Sequence, residues 1–151
     1  MSKMSRGFAA IGLVSPKDEA NIGSVLRAAS CYDASMVVLE NARAKVHAIT
    51  DTCVTYKHKP VVRTDALKSV IPYRAVPVAI DLVDDAESLV DFEHPSSAFY
   101  IFGPEDGTLG QRILDWCPRR VMVPTRYCMN LAATVNVILY DRMAKENRKG
   151  I

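Results

Sequence analysis

The chain has 151 residues, 49% of them hydrophobic and 24% charged, with a formal net charge of +2. That length suits one domain with its own core, spanning residues 1–151, and the composition excludes a disordered, fibrous or low-complexity protein. No apolar run approaches the ~20 residues of a membrane-spanning helix. The N-terminal FAAIGLV run is too short, and wrongly flanked by SPKDE, for a secretory signal, so the expectation is a cytoplasmic protein.

The elements follow in order. FAAIGLV (8–14) reads as a buried strand and SPKDEA as a polar loop. From Asn21 to Tyr32, the residues Ile22, Val25, Leu26 and Ala29 recur at helical spacing, which predicts an amphipathic helix. MVVLE (36–40) is a second strand. The stretch 41–59 stays open between a short helix and a loop. PVVR (60–63) is a short strand, and Thr64 is placed to cap a helix over DALKSVI. VPVAIDL (76–82) is a strand and 87–89 a helical turn. AFYIF (98–102) is a strand, TLGQRILDWC (108–117) a helix, RRVMVPT (119–125) the last strand, and Cys128–Lys145 the last helix. Strands alternate with helices, and the strands are continuously apolar. Both features predict an α/β fold, a mostly parallel sheet covered on both faces. Ligands in such folds bind beyond the carboxyl ends of the strands.

The cysteines (Cys31, Cys53, Cys117, Cys128) form no C-x-x-C pair, and His47, His58 and His94 are scattered. No metal site is expected, and the thiols are expected to be free. Basic residues group at Lys57–Lys59, Arg119–Arg120, Arg126, and Lys145 with Arg148 and Lys149. These are either solvated charge or phosphate contacts.

Three stretches that follow strands carry candidate chemistry. In NIGSVLRAA, Asn21 is placed to cap the helix. Arg27 lies about 140° around the axis from Ile22, off the apolar stripe. It is either an exposed arginine or one aimed at a phosphate or a developing oxyanion. In YIFGPEDGTLG a buried strand runs into Gly103, Glu105, Gly107 and Gly110. This is neither a dinucleotide fingerprint nor a P-loop; it is either a tight turn or a loop whose backbone wraps a ligand. In RYCMNLAATVNVILYDRM two asparagines interrupt an apolar helix, and a buried amide without partners is costly. Asn130 and Asn136 lie about 120° apart around the axis, so they need separate explanations. Asn136, beside Met129, Tyr140 and Met143, is expected to pair across a subunit contact or with buried backbone.

Together these stretches resemble the three motifs of the SpoU/TrmH family within the SPOUT superfamily of RNA methyltransferases. The first is Asn21-Ile-Gly23-Ser-Val-Leu-Arg27. The second is Phe102-Gly103-Pro-Glu105-Asp-Gly107-Thr108-Leu109, with Gly107 and Leu109 separated by one residue. The third is Val123-Pro124 followed by Cys128-Met129-Asn130-Leu131-Ala132, with a turn about two residues shorter than usual. Cys128 and Ala132 stand where serines are common.

The resemblance covers residues 8–145 and is to minimal, single-domain members. It implies a three-layer α/β sandwich whose C-terminal segment forms a deep trefoil knot. It also implies S-adenosylmethionine as cofactor, a homodimer joined partly through the last helix, and methylation of a ribose 2′-hydroxyl in tRNA or rRNA. By the same resemblance, Ile80, Phe102, Gly103, Val123, Pro124, Cys128 and Met129 would hold the cofactor. Arg27 would activate the 2′-hydroxyl, and Asn21, Glu105 and Asn130 would position it and the substrate. No membrane and no metal partner are implied. Two other readings stand beside this one: a catalytically silent RNA-binding dimer of the same fold, and a generic nucleotide-binding α/β module.

Overall fold

A computed structural model describes residues 7–44 and 55–149. Seven strands form one sheet: β1 (Phe8–Val14), β2 (Met36–Glu40), β3 (Val61–Thr64), β4 (Val76–Ile80), β5 (Glu87–Ser88), β6 (Ser97–Phe102) and β7 (Arg119–Met122). The helices are α1 (Glu19–Cys31), α2 (Gln111–Leu114) and α3 (Leu131–Lys149). The strand order is β3-β2-β1-β6-β4-β7-β5, and every pairing is parallel.

Alternation along each strand splits the core into two layers. Ile11, Leu13, Val78, Tyr100 and Phe102 face α1 and α3. Ala10, Ala79, Phe99 and Ile101 face the opposite layer, with Leu67 and with Ile113 and Leu114 of α2. Burial on both faces is why the central strands read as unbroken apolar runs. Gly12 marks a close approach in the second layer. A Cβ there would stand 2.6 Å from the Phe99 ring and 3.2 Å from Leu67.

Several boundaries differ from the sequence reading. α1 starts two residues earlier, because Asp18 caps it: Asp18 Oδ1 accepts from the backbone N–H of Ala20 (2.8 Å) and Asn21 (3.1 Å). Asn21 is therefore not a cap. Thr64 closes β3, its hydroxyl accepting from Ala66 N at 3.1 Å, and a single 3-10 turn at Leu67–Val70 replaces the expected helix. Residues 87–88 are an edge strand rather than a helical turn. They pair with Val121 and Met122 of β7, a tertiary contact that three residues of local pattern cannot announce. α2 is only four residues long. β4 and β7 end at Ile80 and Met122. Of the open stretch 41–59, residues 55–57 form a 3-10 turn; residues 45–54, with His47 and Cys53, lie outside the described residues.

The sheet order inserts β7 between β4 and β5, two strands that are consecutive in sequence. Asp81 N donates to Val121 O (3.1 Å) and Leu89 N to Met122 O (2.9 Å), so the connection from β4 to β5 grips β7 from both sides. α3 then packs on α1, and Lys145 Nζ donates to the carbonyls of Leu89 and Phe92.

The amino end of β6 carries a buried polar network absent from the sequence reading. Arg142 is 5% exposed and donates to Pro95 O (2.7 Å), Ser96 O (2.8 Å) and the Tyr100 hydroxyl (3.0 Å). His94 bridges the Tyr100 hydroxyl and Asp141 Oδ2, both at 2.7 Å. Burial pushes the His94 pKa down against the opposing pull of Asp141, and pushes Tyr100 up to about 12.

Candidate active site

A cavity of about 440 Å³ opens at the carboxyl ends of β4, β6 and β7, the position expected for a ligand on a parallel sheet. Ile80 ends β4 and Phe102 ends β6; both are buried, and both present apolar surface to the cavity. Gly103, Val123, Cys128 and Met129 also line it. Pro124 is exposed and lies outside the lining, which passes from Val123 to Thr125.

The loop after β6 turns back on itself at Gly103. A Cβ there would meet Leu109 N at 3.1 Å and Thr108 C at 3.2 Å, both backbone atoms that have little room to retreat. Leu109 is buried, and its N–H donates to Asp81 Oδ2 at 3.2 Å. The glycine thus lets the strand end and the returning loop pack together, with backbone rather than side chain forming that wall.

Asn21, Glu105 and Asn130, each from a different motif, meet at the cavity. Asn130 is the residue before α3 and caps it, its Oδ1 accepting from Ala132 N (2.9 Å) and Ala133 N (3.2 Å). Its amide Nδ2 donates to Asn21 Oδ1 at 2.9 Å. Asn21 Nδ2 in turn donates to Glu105 Oε1 at 3.4 Å, and the Glu105 carboxylate accepts from the backbone N–H of Lys17 (3.1 Å) and Asp18 (3.3 Å). A carboxylate can only accept, so Glu105 fixes the orientation of both amides in sequence. Asn130 is therefore an exposed cap rather than a buried amide within the helix. Asn136 is half-buried and donates to Ala132 O, one turn back, at 2.8 Å. This is the backbone alternative of the expectation.

Arg43 latches the same loop from outside. Its guanidinium makes a bidentate pair with Asp106 (2.8 and 3.0 Å) and donates twice to Ser15 O. That pairing holds the Asp106 carboxyl well below the usual range. Arg27 is exposed, outside the cavity lining, and makes no hydrogen bond or ion pair with another described residue.

Sequence reasoning missed Asp81, Leu82 and Thr134, which also line the cavity. The signal for Asp81 was present: an acidic residue directly after the buried VPVAI run. Among the described residues, no three His, Cys, Asp or Glu side chains are grouped to hold a metal ion.

The architecture is shared with solved structures. The SpoU methyltransferase AviRb of Streptomyces viridochromogenes, in complex with the cofactor AdoMet, superposes with a TM-score of 0.81 at 20% identity, over 93% of this chain and 58% of that one. The chain thus spans less than two thirds of AviRb's length. A TrmH/SpoU tRNA modifying enzyme of A. aeolicus gives 0.82 at 15% identity, over 96% of this chain and 78% of that one. A protein whose structure addresses 2-OH methylation of C/U34 on tRNA gives 0.78 at 19% identity, over 93% and 97% of the two chains. The sequence matches no curated protein. The model of the SpoU rRNA Methylase family matches residues 9–140. With that match over most of its length, the chain belongs to the SpoU rRNA methylase family.

Proposed function

We propose that this protein is an S-adenosylmethionine-dependent RNA methyltransferase that transfers methyl to a ribose 2′-hydroxyl of tRNA or rRNA, working as a homodimer in the cytoplasm. The observation that carries this reading is the meeting of Asn21, Glu105 and Asn130 at one cavity beyond the strand ends. The cavity's size falls in the ordinary range for small-ligand sites. The fit to the cofactor rests on the backbone wall at Gly103 and the apolar ends of β4 and β6. Ile80 and Phe102 offer surface for an adenine ring, and the backbone at Gly103, Val123, Cys128 and Met129 offers hydrogen bonds to the polar parts. S-adenosylmethionine supplies an electrophilic methyl group on a sulfonium.

The chain's own contribution is positioning. The Asn130–Asn21–Glu105 relay is held by backbone N–H groups at one end and a helix cap at the other, so its polar atoms need no reordering when a nucleotide arrives. Methyl transfer makes the ribose hydroxyl lose its proton, which passes to solvent water. Arginine stays charged at accessible pH, so Arg27 serves as an electrostatic stabiliser of the forming alkoxide rather than as a base. Because Arg27 lies outside the cavity lining, this role requires RNA or a second protomer to complete the site.

The homodimer rests on α3, which leaves Tyr140 56% and Met143 39% exposed on its outer side. The insertion of β7 between β4 and β5 supports the knotted chain path. Among the described residues no helix is long and apolar enough to cross a membrane.

The position of Arg27 also favours a second reading, a catalytically silent RNA-binding dimer. Methyl transfer to total RNA, with nucleosides resolved by mass spectrometry, decides between them. A 2′-O-methylated nucleoside supports the enzyme. S-adenosylmethionine binding in calorimetry without any transfer supports the silent dimer.

A further inference from the structure

The basic groups are not equally available to a nucleic acid. Arg119 pairs with Glu87 at 2.8 Å and lies over the Phe92 ring. Arg120 pairs with Asp85 at 2.6 Å and donates to Leu114 O. Lys59 pairs with Asp33 at 2.7 Å. Arg126 is exposed and makes no ion pair with another described residue. The next residue, Tyr127, is 78% exposed.

These two residues sit in the turn between β7 and the cap of α3, and Thr125 and Cys128 on either side both line the cavity. The turn is internally tied: Thr125 N donates to Val123 O at 2.8 Å, and Thr125 Oγ1 donates to Tyr127 O at 2.7 Å. The backbone that carries the ring is therefore fixed at the cavity mouth. A large ring left in water on a tied turn, beside an uncompensated guanidinium, is the pairing that binds unstacked nucleotides. The aromatic face replaces the lost base stacking and the cation meets the phosphate.

We propose that Tyr127 is a stacking platform for the base of the target nucleotide, with Arg126 contacting the flanking phosphate. The substrate class is then a single-stranded or loop nucleotide whose base can be splayed out, rather than one within a continuous duplex. This rests on the reading of the cavity as the methyl-donor site of an RNA-modifying enzyme.

The test uses the full-length protein with S-adenosylhomocysteine and a short single-stranded oligoribonucleotide carrying one central 2-aminopurine, whose fluorescence falls when the base stacks. Wild type is expected to quench it. Tyr127→Ala is expected to bind about tenfold more weakly with the quench lost, and Tyr127→Phe to keep both. S-adenosylhomocysteine affinity, measured separately, is expected to be the same in all three, which shows that the fold and cavity persist. Unchanged quenching in Tyr127→Ala overturns the proposal, as does an absence of quenching by wild type. A dimeric wild type beside a monomeric Tyr127→Ala in sedimentation also overturns it, because the ring would then be a subunit contact. The methyltransferase reading fails separately: Tyr127-dependent quenching with no methyl transferred to total RNA would refute that reading and leave the stacking platform standing.

Discussion

Asn130 does two jobs with one side chain, and the two can be separated. Its oxygen caps α3 and its nitrogen donates to Asn21. Asn130→Asp keeps the cap but places an acceptor against Asn21. If the Asn21 amide then flips, its oxygen faces Glu105. Asn130→Asp is therefore expected to melt near the wild-type temperature while methyl transfer falls at least tenfold. Asn130→Ala loses the cap as well, at about 1 kcal/mol, and is expected to melt earlier; thermal unfolding and transfer rates on the two variants check this. Gly103→Ala presses a methyl group on the Leu109 backbone. Its expected outcome is a cofactor dissociation constant raised about tenfold in calorimetry, with the fold retained. At this scale the sequence showed which residues carry the motifs but not how they are bonded. Asp18 and Asn21 are equally good caps by type. Only the long-range partners, Glu105 and Asn130, decide that Asp18 caps and Asn21 joins the cavity.

At the scale of elements, the long periodic segments were legible. β1 and β2 fall where the apolar runs placed them, and α1 within two residues, because burial on both sheet faces or on one helix stripe writes itself into the pattern. β5 was not legible: it is two residues long and exists through pairing with β7. α2 was legible in place but not in length, falling inside the expected 108–117 as a single turn. The link between α3 and the start of β6 was also invisible, since His94 and Tyr100 lie far in sequence from their partners Asp141 and Arg142. That link has a pH signature. The folded-state pKa of His94 lies below its ordinary value of 6.5, so the unfolded chain takes up a proton before the folded one does. Stability from this residue is fully present above about pH 6.5 and declines as pH falls towards the folded-state pKa. The thermal midpoint is expected to drop on acidification below pH 6.5, and to drop less in His94→Gln. Equal slopes for the two proteins would count against the network's role.

At the scale of the whole molecule, strand alternation indicated a parallel sheet but not its order, because periodicity is silent on which strands are neighbours. The insertion of β7 between β4 and β5 brings the third motif beside the first two. The outer side of α3 is where a second copy is expected to dock. Tyr140→Glu together with Met143→Glu is expected to convert a dimer into a monomer in sedimentation and to reduce methyl transfer more than cofactor binding. The central claim is that the cavity delivers a methyl group to a ribose 2′-hydroxyl, with Arg27 acting on the acceptor rather than on the cofactor. Mass spectrometry of nucleosides from RNA treated with wild type and with Arg27→Ala, with cofactor affinity measured for both, tests it most directly. The account predicts a 2′-O-methylated nucleoside with wild type only, at nearly equal cofactor affinity. A methyl group found only on a base, or no transfer by a wild type that binds the cofactor, would contradict it.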